Sequence, residues 1–241
     1  MAHDTRKEMD APLAPVAVDS LHIGTLRPLG PRNVPTGIYK QQVQGPQIVT
    51  ELGLSGDHQG DKRHHGGAEK ALHHYARDHY SAWLADDPGL AEHLAPPAFG
   101  ENISTLGMTE ANVCIGDVYR LGTTLLQVSQ GRQPCWRLNA RFDRPDMAFR
   151  VQKTGRTGWY YRVLREGTIA PGDLFRLDDR PQPHWPLTRV IELLYTRTLD
   201  MEALAQLRDL PELAASWRDL AARRIATHSV EDWNRRLHNP Q

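Results

Sequence analysis

The chain has 241 residues, 39% of them hydrophobic and 24% charged, with 29 Lys+Arg against 29 Asp+Glu. That length suits one large domain or a domain with a small appendage, and the apolar content is enough for a core. A neutral chain with no apolar run of transmembrane length gives no case for nucleic acid or a membrane as partner, so any anion site must come from local clustering.

The N-terminal stretch "MAHDTRKEMDAPLAPVAVDS" is polar and mixed in charge. It lacks the apolar centre of a secretory signal, so residues 1–18 read as a flexible tail on a cytoplasmic protein. Strand-length segments bounded by turn residues follow: "SLHIGTL", "GIYKQQV", "DVYRLG", "TLLQVSQ", "WYYRVL" and "DLFRL". They imply a β-rich α+β domain over residues 19–180, closed or strongly curved rather than a regular βαβ alternation. Within it, residues 68–85 place Leu72, Tyr75, Ala76, Tyr80, Trp83 and Leu84 on one face and predict a helix, stopped by Asp86-Asp87-Pro88-Gly89. A second helix is expected from Pro134 or Cys135 and another from Pro145. A Pro-rich linker, Asp178 to Pro186, then leads to three Leu/Ala/Arg-rich segments of helical period, with Asp200 and Pro211 as helix starts. Residues 181–241 thus read as a small C-terminal three-helix module, too small to count on folding unaided.

The stretch "GLSGDHQGDKRHHGGAEKALHHYARDHY" holds six of the twelve histidines. Gly66-Gly67 reads as a turn opening a helix, whose free N–H groups and dipole suit a phosphate. Arg63, His64, His65 and Lys70 add cationic or donor groups beside it. Neither GxxxxGK[ST] nor HExxH is present. His73, His74 and His79 are expected on a solvated helix face. For Asp57, His58, His64 and His65, in a loop, a site role and a surface role both stay open.

The two cysteines, Cys114 and Cys135, form no CxxC pair and read as free thiols. Cys135 follows a proline near a helix start, with Arg132, Arg137 and Arg141 close in sequence. Such a setting favours the thiolate, the form that attacks or binds a soft or high-valent transition metal. A buried structural thiol is the alternative there, and for Cys114, between apolar neighbours, it is the preferred reading. In "FGEN", Glu101 suits acid–base work and Asn102 donation to a ligand, although a turn with an Asn cap accounts for the same residues.

Taken in order, "GLSGDHQGD", "HHGG", "FGEN" and "PC", with "IGDVYRLG" and "LLQVSQ" between the last two, resemble a MOSC domain, named for the C-terminus of molybdenum cofactor sulfurases. The likeness runs over roughly Val43 to Leu177 and extends to the bacterial stand-alone branch called YiiM-like, which also carries a C-terminal three-helix module. The resemblance implies a MOSC-type β-barrel with flanking helices. It implies molybdenum cofactor, a pyranopterin with a terminal phosphate that holds molybdenum through a dithiolene, with Cys135 as catalytic metal ligand. It further implies reduction of N-hydroxylated small molecules, such as hydroxylamino base analogues, with electrons from a separate reductase. On this reading Arg63, His64, His65, Gly66, Gly67 and Lys70 form an anion and pterin cradle. Asp57, His58, Glu101 and Asn102 line polar edges of the pocket, the first three as proton donors, and Arg132 and Arg137 balance the cofactor's charge. Two rivals stand beside it: a sulfur carrier working through a Cys135 persulfide, and a non-catalytic cofactor-binding module. The helices would serve packing, a homodimer contact or reductase docking.

Overall fold

The computed structural model describes residues 14–30, 32–60 and 66–238. Its strands are β1 (Val16–Gly24), β2 (Arg27–Leu29), β3 (Val34–Thr36), β4 (Lys40–Val43), β5 (Gln47–Thr50), β6 (Gly53–Leu54), β7 (Leu72–Ala76), β8 (Ile103–Thr105), β9 (Val118–Leu121), β10 (Thr124–Gly131), β11 (Trp159–Arg165), β12 (Gly167–Ile169) and β13 (Leu174–Asp179). Its α-helices are α1 (Asp78–Asp86), α2 (Arg137–Phe142), α3 (Met147–Thr154), α4 (Leu187–Tyr195), α5 (Met201–Arg208), α6 (Ala215–Thr227) and α7 (Asn234–Leu237).

Seven strands close a barrel in the order β13-β9-β10-β11-β7-β8-β1. The closing pairs are Val16↔Phe175 and Ala17↔Leu174. Each segment expected as a strand contributes one: β1, β4, β9, β10, β11 and β13. Residues 16–18 belong to β1 rather than to a tail, because closure needs them; residues 1–13 lie outside the described residues. The β7–β8 pair is parallel, and α1 with the 3-10 turn Pro88–His93 lies in the crossover between them.

The helix predicted over 68–85 is divided. Ala68–Lys70 is a single 3-10 turn, β7 follows, and only Asp78–Asp86 is α-helical. All five residues of β7 are buried. A strand covered on both faces loses its alternation and reads as a continuous run, which a helix period can also fit. The solvated helix face expected for the histidines is therefore wrong. His73 and His74 are buried on β7, and His79 on α1 is mostly covered and hydrogen-bonded through Nε2 to Glu110 at 2.6 Å.

One apolar cluster fills the barrel and runs without a break into the C-terminal helices, from Leu126, Val128 and Phe175 to Val190, Leu204 and Trp217. A second lies outside the barrel wall, where Tyr75, Trp83, Phe99, Phe142 and Val151 meet Trp233 and Leu237 from the C-terminal end. Asp200 caps α5, its carboxylate accepting from Ala203 N at 2.9 Å. Pro211 does not start a helix. Leu213 and Ala214 are pressed onto the barrel first, with Ala214 N donating to Ser129 O at 2.9 Å, and α6 begins at Ala215. Among the described residues no helix is long and apolar enough to cross a membrane.

A shared core predicts one cooperative unfolding transition for barrel and helices. Trp217, 2% exposed in that core, should cost about 3–5 kcal/mol when changed to alanine. Tryptophan fluorescence and far-UV circular dichroism should report the same urea midpoint; two separated transitions would contradict the shared core.

Candidate functional site

On the outer side of β7 a cleft of about 590 Å³ opens between the β3–β4 connection, residues 57–60, the loop before β8 and the segment after β10. The walls fit closely. A Cβ on Gly37 would meet His58 O at 1.8 Å, and Gly100, at φ +74°, lies against Ile38. Cys135 is 8% exposed and sits where this cleft meets a larger one of about 1850 Å³, toward the C-terminal helices. Lys70, Cys135, Arg137 and Tyr160 line both.

One wall is a buried polar hub. Lys40 and Asp57 form an ion pair with side chains 6% and 3% exposed. Asp57 also accepts from Gly24 N at 2.7 Å and from Asn102 Nδ2 at 2.9 Å. Asn102 Oδ1 accepts from His73 N at 3.0 Å, so one amide joins Asp57 to β7. Burial pushes the Lys40 ammonium below its ordinary value, and Asp57 opposes that shift. Beside this hub lie unmet polar groups. His73 packs against Tyr160, ring centroids 5.0 Å apart. Its Nε2 is buried without a partner, and so is Nη1 of Arg132. Desolvation, then the Arg132 charge, holds His73 well below the ordinary histidine range, so it is neutral at pH 7. A buried polar nitrogen without a partner costs about 1–3 kcal/mol; a bound acceptor would recover it at the Arg132 donor and a bound donor at the His73 ring nitrogen.

The cleft brings together Asp57, His58, Lys70, Asn102, Arg132, Cys135 and Arg137 from the residues expected at the site. His58 is exposed there. Glu101 is not part of its lining. That carboxylate is fully buried and accepts from Tyr80 OH at 2.5 Å and Phe99 N at 3.0 Å, and burial raises its pKa. Gly66 and Gly67 line neither cleft, and the turn they precede is too short to have a helix N-terminus. Arg63, His64 and His65 lie outside the described residues. Sequence reasoning missed Lys40, His73 and Tyr160. His73 and Tyr160 are cross-strand partners, a signal that appears only once β7 is read as a strand.

Comparison with known proteins gives a consistent result. Residues 61–176 match the MOSC domain and residues 185–228 the YiiM-like, 3-alpha helix domain. Protein YiiM of Escherichia coli (strain K12) is 40% identical over 207 residues, covering 86% of this chain and 92% of that protein. A protein named Reductase from Gibberella moniliformis is 40% identical over 193 residues, 80% of this chain but only 34% of the longer fungal protein. The crystal structure of YiiM from Escherichia coli superposes with a TM-score of 0.80 at 34% identity, over 94% of this chain and all of that one.

Three buried histidines make the fold acid-sensitive. Desolvation lowers His22 to about 4 and His74 to about 3, and His73 falls with them. Between those values and the unfolded value near 6.5 the unfolded chain binds more protons, so stability is complete above pH 6.5 and declines as pH falls. Each histidine should remove about 1.4 kcal/mol per pH unit in that window. Urea unfolding at pH 7 and pH 5 measures this, and equal stabilities would contradict the assignment.

Proposed function

The chain belongs to the MOSC-domain family, in the branch with a YiiM-like 3-alpha helix domain, and from that premise we propose that it reduces N-hydroxylated small molecules with molybdenum cofactor held at Cys135. One observation carries the proposal: a buried cysteine stands at the junction of two clefts, one of them lined, among the described residues, by Lys40, Lys70, Arg132 and Arg137 and by one carboxylate, Asp57. That surplus of positive charge suits a phosphate and a dithiolene; the unpartnered Arg132 nitrogen would meet an acceptor on a bound ligand, and the unpartnered ring nitrogen of neutral His73 a donor. Among the described residues no group of three or more His, Cys, Asp or Glu side chains could hold a metal ion. On this proposal a metal at Cys135 would arrive with most of its ligands already on the cofactor. The fungal relative named Reductase supports the reaction class.

When bound, the cofactor would supply the two-electron reduction of the N–O bond. The chain's own work is to hold and to protonate. Cys135 would hold the metal through its sulfur. Arg132, Arg137 and Lys70 would neutralise phosphate and dithiolene, while the Lys40–Asp57–Asn102 hub would tie the adjoining wall together. Of the three acids considered, Asp57 is held by Lys40, Gly24 and Asn102, and Glu101 lies behind the lining. His58, exposed in the cleft, is left as the proton donor to the leaving oxygen. Electrons would come from a separate redox protein, since two isolated cysteines cannot supply a four-cysteine iron–sulfur cluster.

Metal and pterin analysis tests the assignment. Protein from a host that makes molybdenum cofactor should carry both at about one per chain, and Cys135→Ser should lose most of the molybdenum. Wild-type protein with neither component would overturn the proposal. His58→Gln should keep the metal and lower turnover of a hydroxylamino purine by about 10²-fold; unchanged turnover would remove His58 from the role.

A further inference from the structure

The segment that carries Cys135 is gripped from one side at every second residue. Tyr195 OH, at the end of α4, donates to Arg132 O at 2.7 Å. Arg236 Nη1, on α7, donates to Pro134 O at 2.6 Å. Trp136 N donates to Arg236 O at 2.8 Å. All three partners lie in the C-terminal helices or in the strap that follows α6. The strap is itself fixed: Trp233 and Leu237 are buried in the outer apolar cluster, Glu231 pairs with Arg224 of α6 at 2.8 Å, and Asn139 Nδ2 donates to Leu237 O at 2.8 Å. Arg236 spends its other arm on Gln152 Oε1 of α3 at 2.6 Å. A planar guanidinium that bridges a carbonyl and an amide fixes both distance and angle, which a flexible ammonium does not.

We propose that Arg236 is a positioning residue: with Tyr195 it holds the 132–136 segment so that Cys135 stays at the junction of the two clefts. Strap residues 229–238 lie beyond both stretches matched to family models. The C-terminal helices then form the frame of the cysteine rather than an appendage. The inference rests on the geometry of the segment and holds whether Cys135 binds metal or carries sulfur.

The test is alkylation of cofactor-free, full-length protein with iodoacetamide over a pH series, so that the limiting rate of each thiolate is compared free of any change in its ionised fraction, with peptide mass spectrometry reading each cysteine separately. Cys114, buried elsewhere in the fold, reports global loosening. Arg236→Ala should raise the Cys135 rate about tenfold, a local release worth about 1.4 kcal/mol, and leave the Cys114 rate unchanged. Arg236→Lys should fall between the two, because it keeps the charge but not the fork. Tyr195→Phe, which removes one hydroxyl and nothing else, should raise the Cys135 rate by a smaller factor and guards against an alanine variant that does not fold. Parallel increases at both cysteines would assign Arg236 to overall stability and overturn the proposal, as would a Cys135 rate unchanged in both Arg236→Ala and Tyr195→Phe. Because no cofactor is present, a failure here is distinct from a failure of the metal assignment.

Discussion

The site depends on one constraint: β7 is buried on both faces. Its inner face sends His74 into the barrel, where Nδ1 meets Tyr161 OH at 3.0 Å and Nε2 meets Thr105 Oγ1 at 2.8 Å. Its outer face sends His73 to the cleft and Tyr75 to the outer apolar cluster, stacked on Phe99 with ring centroids 4.1 Å apart. Alternation along one strand thus joins a satisfied core histidine to an unsatisfied site histidine. The cover that makes this feasible comes from α1, α2, α3 and the C-terminal strap, so distant parts of the chain are needed to form one wall of the cleft.

The two clefts divide naturally around Cys135. The smaller one is closely walled, with its glycines in contact with neighbouring backbone and Asp57, its one carboxylate among the described residues, paired with Lys40. The larger one lies toward the C-terminal helices, and Arg223, Arg235 and Arg236 in its lining outnumber Glu231 and Asp232. Glu231 is already paired with Arg224. Both clefts therefore favour negative or polar occupants, and the cysteine is among the four described residues they share.

Much of this was legible from sequence, and the failures have physical causes. Alternating, turn-bounded segments became barrel strands, and Cys135, Arg132 and Arg137, close in sequence, line one cleft. The helix over 68–85 failed because a strand buried on both sides carries no alternation. That error moved His73 to the wrong environment and gave Gly66-Gly67 a helix that does not exist. Glu101 was picked for its chemistry, but the Tyr80 hydroxyl and the Phe99 amide that occupy it become visible only in three dimensions. Lys40 looked like an ordinary polar position on a strand, and only its contact with Asp57 marks it. The strap after α6 is polar and charged, with no period to read, yet it buries Trp233 and reaches Pro134.

The central claim is that the sulfur of Cys135 holds a metal brought by an anionic cofactor. X-ray absorption at the molybdenum edge addresses it directly, on cofactor-loaded wild type and on Cys135→Ser loaded to whatever level it retains. The account predicts one more sulfur neighbour around molybdenum in the wild type than in the variant. Equal sulfur counts in the two proteins would contradict it and would return Cys135 to a structural or sulfur-carrying role.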